Sequence, residues 1–506
     1  MAEEKQAVAP ETASPFGALP APPLTKRLKL SFALGSTAEA ISYTAASMFL
    51  LLYYNQVLGL SPGLVGLALS AGLMANAVFE PLIGSWSDRV RTRLGRRHPF
   101  MFASAAPIAL CFYALYMPPA GLSDTGLLIW LTVSYILYQQ AMSLYEAPHL
   151  ALGAELSEDY LERSSVMAYS TFFLWIGDAL TAFIALKFFF ATTSAYPNGA
   201  LDPTNYPAYA FWVALTMFVL RFYSAWATKS RIPYLAQIKP STPKFSFAEF
   251  WRDVLRALGN RNYVILLFAL LFFSLMTGVR NGLYLYKMTY FWELTNDDIA
   301  WFIIGSLFGY VFAAFVVKRM HIRLDKRWTG ALACFVYTVG PAIPVALGWF
   351  GVLTPTTPYL LAMLIAFSVL QHAPYSILTT TVRSMLADIA DENELRTGMR
   401  QEGVLYAARQ FFQRVDTALG TLLAGWTLVL IDFPKNAKPG LVDQDVVLGL
   451  GAAFIIGSVP GLISTALYTM VHVTRRSYDD TRAALVVDRA ERAATECLTA
   501  PSMTKG

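Results

Sequence analysis

Glu80 stands four residues after Asn76 inside PGLVGLALSAGLMANAVFEPLIGSW, an otherwise apolar stretch. Four residues is about one helical turn, so a helix would carry carboxylate and amide on one face. In a dry interior such a pair holds a proton or helps coordinate a small cation, because burial raises a carboxyl group's proton affinity. The competing reading is a glutamate permanently paired with a basic side chain.

Other charges also fall in apolar stretches, where each costs about 2.5–3.5 kcal/mol at the centre of a bilayer. They are Glu39, Glu146, Asp178, Lys187, Arg221, Arg280, Lys287, Arg383, Arg409, Arg414 and Asp416. Glu146 and His149 stand three apart beside Pro148, which loosens local helix bonding. Glu146 reads as a substrate or proton group, and His149 as a hydrogen-bonded interior histidine. Arg414 and Asp416, two apart on one helix, do not face each other, so Arg414 is free to answer a carboxylate on another helix. Arg280 and Lys287 either attract an anionic group or snorkel toward opposite interfaces, and Lys187 reads as a snorkelling residue.

Positioning these groups falls to membrane-spanning helices. The 506-residue chain is 56% hydrophobic and only 14% charged, with a mean hydropathy of +0.45. Soluble domains carry about 25% charged residues. Hydropathy predicts about twelve helices. Six lie near 30–54, 62–87, 99–118, 127–150, 165–190 and 208–228. Six more lie near 262–292, 298–317, 329–350, 357–386, 403–431 and 446–472. The chain then divides into a disordered tail (1–28), a six-helix bundle (29–228), a linker with a surface helix in FAEFWRDVLRAL (229–261), a second bundle (262–472) and a C-terminal tail (473–506). The N-terminal stretch has no apolar core of the kind a cleavable signal peptide needs.

The basic cluster DRVRTRLGRRHPF is pinned between two spans, which makes it a membrane-face loop rather than a nucleic-acid patch. A second basic loop, KRMHIRLDKR, joins the matching spans of the other half. Lysine and arginine concentrate in one set of loops, and the opposite set holds only Lys435 and Lys438. That asymmetry predicts both termini in the cytoplasm. Repeated halves around a central linker predict a transporter with its site between them, near the midplane.

Several functions are excluded or unsupported. There is no GxxxxGK[ST], HExxH or GxSxG pattern, so neither nucleotide-driven transport nor those hydrolase chemistries are indicated. Cys111, Cys334 and Cys497 are too few and too dispersed for a disulfide framework or thiolate metal site. The reading is a non-enzyme with no cofactor and no catalytic or metal residues.

Four stretches resemble one family. GSWSDRVRTRLGRRHPF resembles the loop between the second and third spans of the major facilitator superfamily, in the form carried by glycoside-pentoside-hexuronide:cation symporters. KLSFALG with LYYNQVLGLSPGLVG resembles that family's first span; YEAPHLALGAELSEDYLERSSVMAYS, its fourth-span end; LADIADENELRTGMRQEGVLYAARQFFQRVDTALG, its eleventh span. The resemblance implies an all-α membrane protein with the major facilitator fold, twelve helices in two pseudo-repeats.

It also implies roles. The family's cation site has two acids one turn apart on the second span; Glu80 matches the later and Asn76 replaces the earlier, which favours a proton over sodium. Glu146 matches the fourth-span acid used for sugar, and Arg414 the eleventh-span base that links the two sites. The first-span acid is replaced by Ala40, with Glu39 beside it and rotated by about 100°. The fifth-span arginine is replaced by Thr171. The implied substrate set is Glu146, Glu39, Thr171 and Arg414, and the implied conformational latch is Asp88, Arg89, Gly95, Arg96 and Arg97. The expectation is a monomeric carrier of the bacterial inner membrane that moves a sugar or glycoside with a coupling cation. A lysolipid-like substrate and a non-transporting receptor are the rival readings.

Overall fold

The computed structural model describes residues 22–90, 92–157, 159–235, 258–397 and 402–472, with isolated positions at 252, 255, 481, 484 and 485. Most of the expected surface helix, residues 1–21 and nearly all of the C-terminal tail lie outside the described residues.

Everything described is helical apart from turns and loops. The first half holds α1 (Lys26–Leu52), α2 (Pro62–Arg89), α3 (His98–Tyr116), α4 (Asp124–Glu155), α5 (Tyr160–Ile184) and α6 (Tyr206–Thr228). The second holds α7 (Arg261–Gly282), α10 (Leu360–Thr397), α11 (Glu402–Leu430) and α12 (Gln444–Ile456, continued by Val459–Met470). Between α7 and α10, Phe302–Val339 is two helices broken at Asp325 (φ 60°, ψ 165°): α8 over 302–324 and α9 over 326–339.

Among the described residues, nine stretches are long and apolar enough to cross a bilayer, and one of them, Asn296–Trp349, contains both α8 and α9. The remaining spans, α1 and α11, fall short of that apolarity because they carry Glu39 on one and Arg409, Gln410, Gln413, Arg414 and Asp416 on the other. A helix that points polar groups into a bundle trades away hydropathy. On the outer face the pattern inverts: Leu67, Met74, Val78, Phe79 and Leu82 of α2 are all exposed, as a lipid-facing surface requires.

Helix starts follow local chemistry. Thr25, Ser123, Asp159 and Asn260 each accept a hydrogen bond from a backbone N–H of the first turn, and Pro62 opens α2. Within the stretch 1–28 expected as a disordered tail, residues 22–25 are held in place and α1 already begins at Lys26. Glu162 accepts from the Leu24 N–H (3.1 Å), and Arg231 donates to the Pro22 carbonyl (2.8 Å), so residues 22–25 are strapped onto the bundle before α1 begins.

The two halves repeat at atomic detail. α1 ends in a π-turn, Tyr53–Val57, where the Leu58 and Leu60 N–H groups return to the Tyr53 and Tyr54 carbonyls, followed by Gly59 at φ +77°. The α7 segment ends in a π-turn, Lys287–Phe291, where Trp292 and Leu294 return to Lys287 and Met288, with Glu293 at φ +51°. The basic loops repeat too: RLGRR (93–97) and RLDKR (323–327) place Gly95 (φ +72°) and Asp325 (φ +60°) at the same left-handed step. Arg96 and Arg97 then meet Glu155 at the end of α4 (2.8 and 2.9 Å), as Lys326 meets Asp388 near the end of α10 (2.5 Å). Such correspondence exceeds the general basicity of loops on one membrane face.

Within the first half α1 packs on α5 and α6, α2 on α4, and α3 on α4 and α6; in the second, α7 packs on α11 and α12, and the 302–339 unit on α10 and α12. The halves meet mainly where α2 runs along α11 and α5 along α8. The α2–α11 crossing is tightest at Gly66 and Gly425: a Cβ on Gly425 would lie 2.4 Å from the Pro62 carbonyl oxygen and 3.0 Å from the Gly66 Cα. Backbone lines that gap, so nothing flexible can yield. Gly425→Ala is therefore expected to lower stability by about 1–3 kcal/mol, read as a fall in the thermal unfolding midpoint of the purified protein; an unchanged midpoint would show that the crossing relaxes freely.

Candidate substrate cavity and ion bridge

A cavity of about 580 Å³ lies between the halves. That is within the usual range for a small-molecule site. Its first-half wall comes from α1, α4 and α5 (Glu39, Tyr43, Thr44, Glu146, Trp175, Asp178), and its second-half wall from α7, α8, α10 and α11 (Asn281, Tyr310, Tyr375, Gln413, Arg414, Asp416).

One side chain ties the two walls together. Arg414 of α11 donates from Nε to Glu80 Oε2 (3.2 Å) and from Nη2 to Glu146 Oε2 (3.1 Å), and the Gln410 amide donates to the other Glu80 oxygen. A single guanidinium from the second half thus holds carboxylates on α2 and α4 of the first. All three side chains are mostly buried, with 19%, 11% and 13% exposure for Arg414, Glu80 and Glu146. Each contact is worth about 4 kcal/mol of attraction at an effective dielectric near 20. Desolvation of three ions offsets most of it.

Asn76 is fully buried and accepts a hydrogen bond from Ser143 of α4, while its Nδ2 has no partner. It shares α2 with Glu80 but turns to α4 rather than α11. Glu39 faces the cavity within electrostatic reach of Glu146, Arg221, Arg414 and Glu80. Ala40 lines the cavity beside it.

Thr171 is half-buried and is not among the lining residues. The α5 wall begins about one turn later, where Trp175 packs against Tyr310 (4.7 Å between ring centres) and Tyr375 (5.7 Å). Asp178, another turn on, accepts from Thr44 and from Tyr310 across the interface. In the sequence Asp178 is one costly charge among several, and its spacing points to no role. Nothing in the sequence distinguished Trp175 from the many lipid-facing aromatics.

Other expectations resolve individually. His149 is buried between Phe32 and Tyr145 (4.2 and 5.2 Å between ring centres), with Nε2 on the Phe32 carbonyl, so it is an interior structural histidine. Lys187 does not simply snorkel: it pairs with Asp297 of the other half at 3.1 Å. In the expected latch, Arg97 bonds Ser87 (2.8 Å) as well as Glu155, Gly95 supplies the left-handed turn and Arg89 ends α2; the Asp88 side chain lies outside the described ones. Among the described residues no group of three His, Cys, Asp or Glu is placed to hold a metal ion.

On the face opposite the basic loops the halves are clasped. Gln56 donates to the Pro434 carbonyl and accepts from Tyr290 and from the Ala437 N–H, Tyr286 donates to Asn55 (2.7 Å), and Asn198 donates to Thr289 (2.6 Å). The equivalent π-turns of the two repeats therefore grip each other.

Comparison with known proteins agrees with this architecture. The family model described as MFS/sugar transport protein matches residues 31–475. A putative glycoside/cation symporter of Escherichia coli (strain K12), YagG, is 25% identical over 450 residues, covering 88% of this chain and 91% of its own. The isoprimeverose transporter of Lactiplantibacillus pentosus is 24% identical, covering 79% of each. A solved bacterial homologue of the human lysosomal transporter Spinster, in an inward-facing and unoccupied conformation, superposes with a TM-score of 0.60 at 14% identity, covering 90% of this chain and 98% of that one, and shares the fold. The chain belongs to the MFS/sugar transport protein family, and is a multi-pass membrane transporter rather than an enzyme.

Proposed function

We propose that the protein is a proton-coupled symporter of a sugar or glycoside, working by alternating access between its two halves. The observation that carries this reading is the Arg414 bridge to Glu80 and Glu146. Glu39, Glu80 and Glu146 face Arg221 and Arg414, so one added positive charge balances the group. A proton on Glu80 weakens its hold on Arg414 and lets α11 move against α2. Substrate hydroxyls then bond Glu146 and Glu39, with Asp178 and the Trp175–Tyr310 aromatic surface beside them.

A proton is favoured over sodium by the chemistry around Glu80. Its oxygens receive N–H groups from Arg414 and Gln410, and the Asn76 oxygen is engaged by Ser143. Sodium needs several free oxygens, whereas a proton needs one. The acid-rich wall also favours a hydroxyl-bearing solute over a lysolipid.

The basic face is assigned to the cytoplasm, with both termini there, in a bacterial inner membrane. The Arg96–Arg97–Glu155 cluster is assigned as the latch that positions α2 and α4 between states. The cavity lies within one chain, which supports a monomeric carrier.

The test is uptake of labelled glycosides, isoprimeverose among them, into proteoliposomes in sodium-free buffer. An acid exterior should drive transient accumulation above equilibrium. Accumulation that needs a sodium gradient and ignores pH would overturn the proton assignment.

A further inference from the structure

Two cations on the α7 segment have no part in that scheme. Arg280 and Lys287 are each only 5% exposed. Arg280 donates one N–H to the Tyr337 carbonyl (2.9 Å), and its Nη2 has no partner among the described residues. Lys287 Nζ sits 4.1 Å from the centre of the Phe454 ring, and Arg280 lies over the same ring at 4.8 Å. An aromatic face recovers only part of what a cation loses on leaving water, and two cations on one ring repel each other. No carboxylate stands within ion-pair distance of either among the described residues.

The repeat argues that the fold does not require these charges. The π-turn begun by Lys287 is begun by Tyr53 in the first half, and the residue in Arg280's register there is Ala46. Tyrosine and alanine serve the same backbone path, so the two cations are additions specific to the second half.

Lys287 lines a recess of about 30 Å³. Since about 10–15 Å³ admits one water, the recess takes a single small ion and excludes a sugar ring. The side-chain N–H groups of Lys287, Trp292 and Gln371 border it and bond to nothing else among the described residues. No aspartate or glutamate lines it. By the repeat, Lys287 lies at the level of Tyr53, fourteen residues along α1 from Glu39. That is about 20 Å at 1.5 Å per residue. A solute held by Glu39 and Glu146 therefore leaves the recess open, while Tyr284, Phe302, Gln371 and His372, which line both spaces, border an approach to it from the main cavity.

We propose that the recess binds a monovalent inorganic anion of chloride size, held by the Lys287 ammonium and the N–H donors of Trp292 and Gln371, with Arg280 adding positive charge nearby. A charge-assisted bond to a buried ammonium supplies the affinity, and the size of the recess supplies the selection. The ion is separate from the solute that crosses, so the assignment holds whichever solute or coupling cation the protein uses. Lys287 opens the π-turn whose Tyr290 bonds Gln56 of the first half, so the ion steadies one side of the clasp between the halves.

The test is equilibrium binding of radiolabelled chloride to the purified full-length protein, with potassium gluconate holding the ionic strength constant. Binding should saturate at a single site in the millimolar range, and bromide should displace the label while gluconate, too large for the recess, should not. Lys287→Met should weaken binding by at least about tenfold, the loss of one charge-assisted bond. Val345→Leu keeps both cations but puts another methylene into the recess wall, so it should weaken binding as well, and it decides the matter if Lys287→Met does not fold. Binding that does not saturate, displacement by gluconate as effective as by bromide, or unchanged affinity in either folded variant overturns the proposal.

Discussion

Glu80→Gln is expected to abolish gradient-driven accumulation while leaving equilibrium exchange of substrate measurable. Glutamine has the size of a protonated glutamate and cannot release a proton, so the variant mimics the loaded carrier permanently. A pH difference of one unit stores about 1.4 kcal/mol per proton and supports about tenfold accumulation. In the variant that ratio should fall to about one. Exchange needs only the loaded carrier to cross, and the Arg414 bond to Glu146 is untouched by the substitution. Undiminished uphill transport by Glu80→Gln would remove Glu80 from the coupling site.

The second large effect is expected at Arg414. Replacing it by glutamine leaves Glu80 and Glu146 in a mostly buried site without the cation they share. Breaking a buried ion pair in this way costs about 3–5 kcal/mol, and partial wetting from the cavity places this case near the lower figure. Thermal unfolding should shift downward and both accumulation and exchange should be lost. Arg414→Lys keeps the charge but loses the forked geometry that reaches two carboxylates, so it should recover stability better than transport. The double variant Arg414→Gln with Glu80→Gln should be less destabilised than the sum of its parts, because one orphaned carboxylate has gone. Strict additivity in that cycle would mean that the two side chains do not act as a unit.

Helix number and order were legible in the sequence because a bilayer demands long apolar runs. α1 and α11 are the most polar spans because they face the interior, yet their length and flanks still mark them. Between α8 and α9 the basic run KRMHIRLDKR marks the break, although the helices themselves continue through it up to the single left-handed residue Asp325. The extension of α10 to Thr397 passes beyond any apolar signal, since its last turns carry Asp388, Asp391, Glu392 and Glu394.

The site was legible as a set of suspicious charges but not as a constellation. Hydropathy says that Glu80, Glu146 and Arg414 are costly in isolation; it does not say that α2, α4 and α11 bring them to one point. Resemblance to a family named those residues, and also suggested Thr171, where the cavity wall proves to start at Leu174 and Trp175. Asn76 shares a helix face with Glu80, yet its bond to Ser143 depends on α4, which spacing along α2 cannot reveal. Lys187 is similar: its position predicted an interface residue, and only the packing of α5 against the second half supplied Asp297. The repeat of the π-turns lies at the limit of sequence reading, since YYNQVLGL and KMTYFWEL share little beyond their backbone path.

The central claim is that substrate and proton cross together through Glu80. The most direct measurement is the external pH of a lightly buffered, sodium-free suspension of proteoliposomes when a transported glycoside is added. Solute-induced alkalinisation that disappears in Glu80→Gln is the predicted result. Solute entry with no pH change, or alkalinisation that survives the substitution, would contradict it.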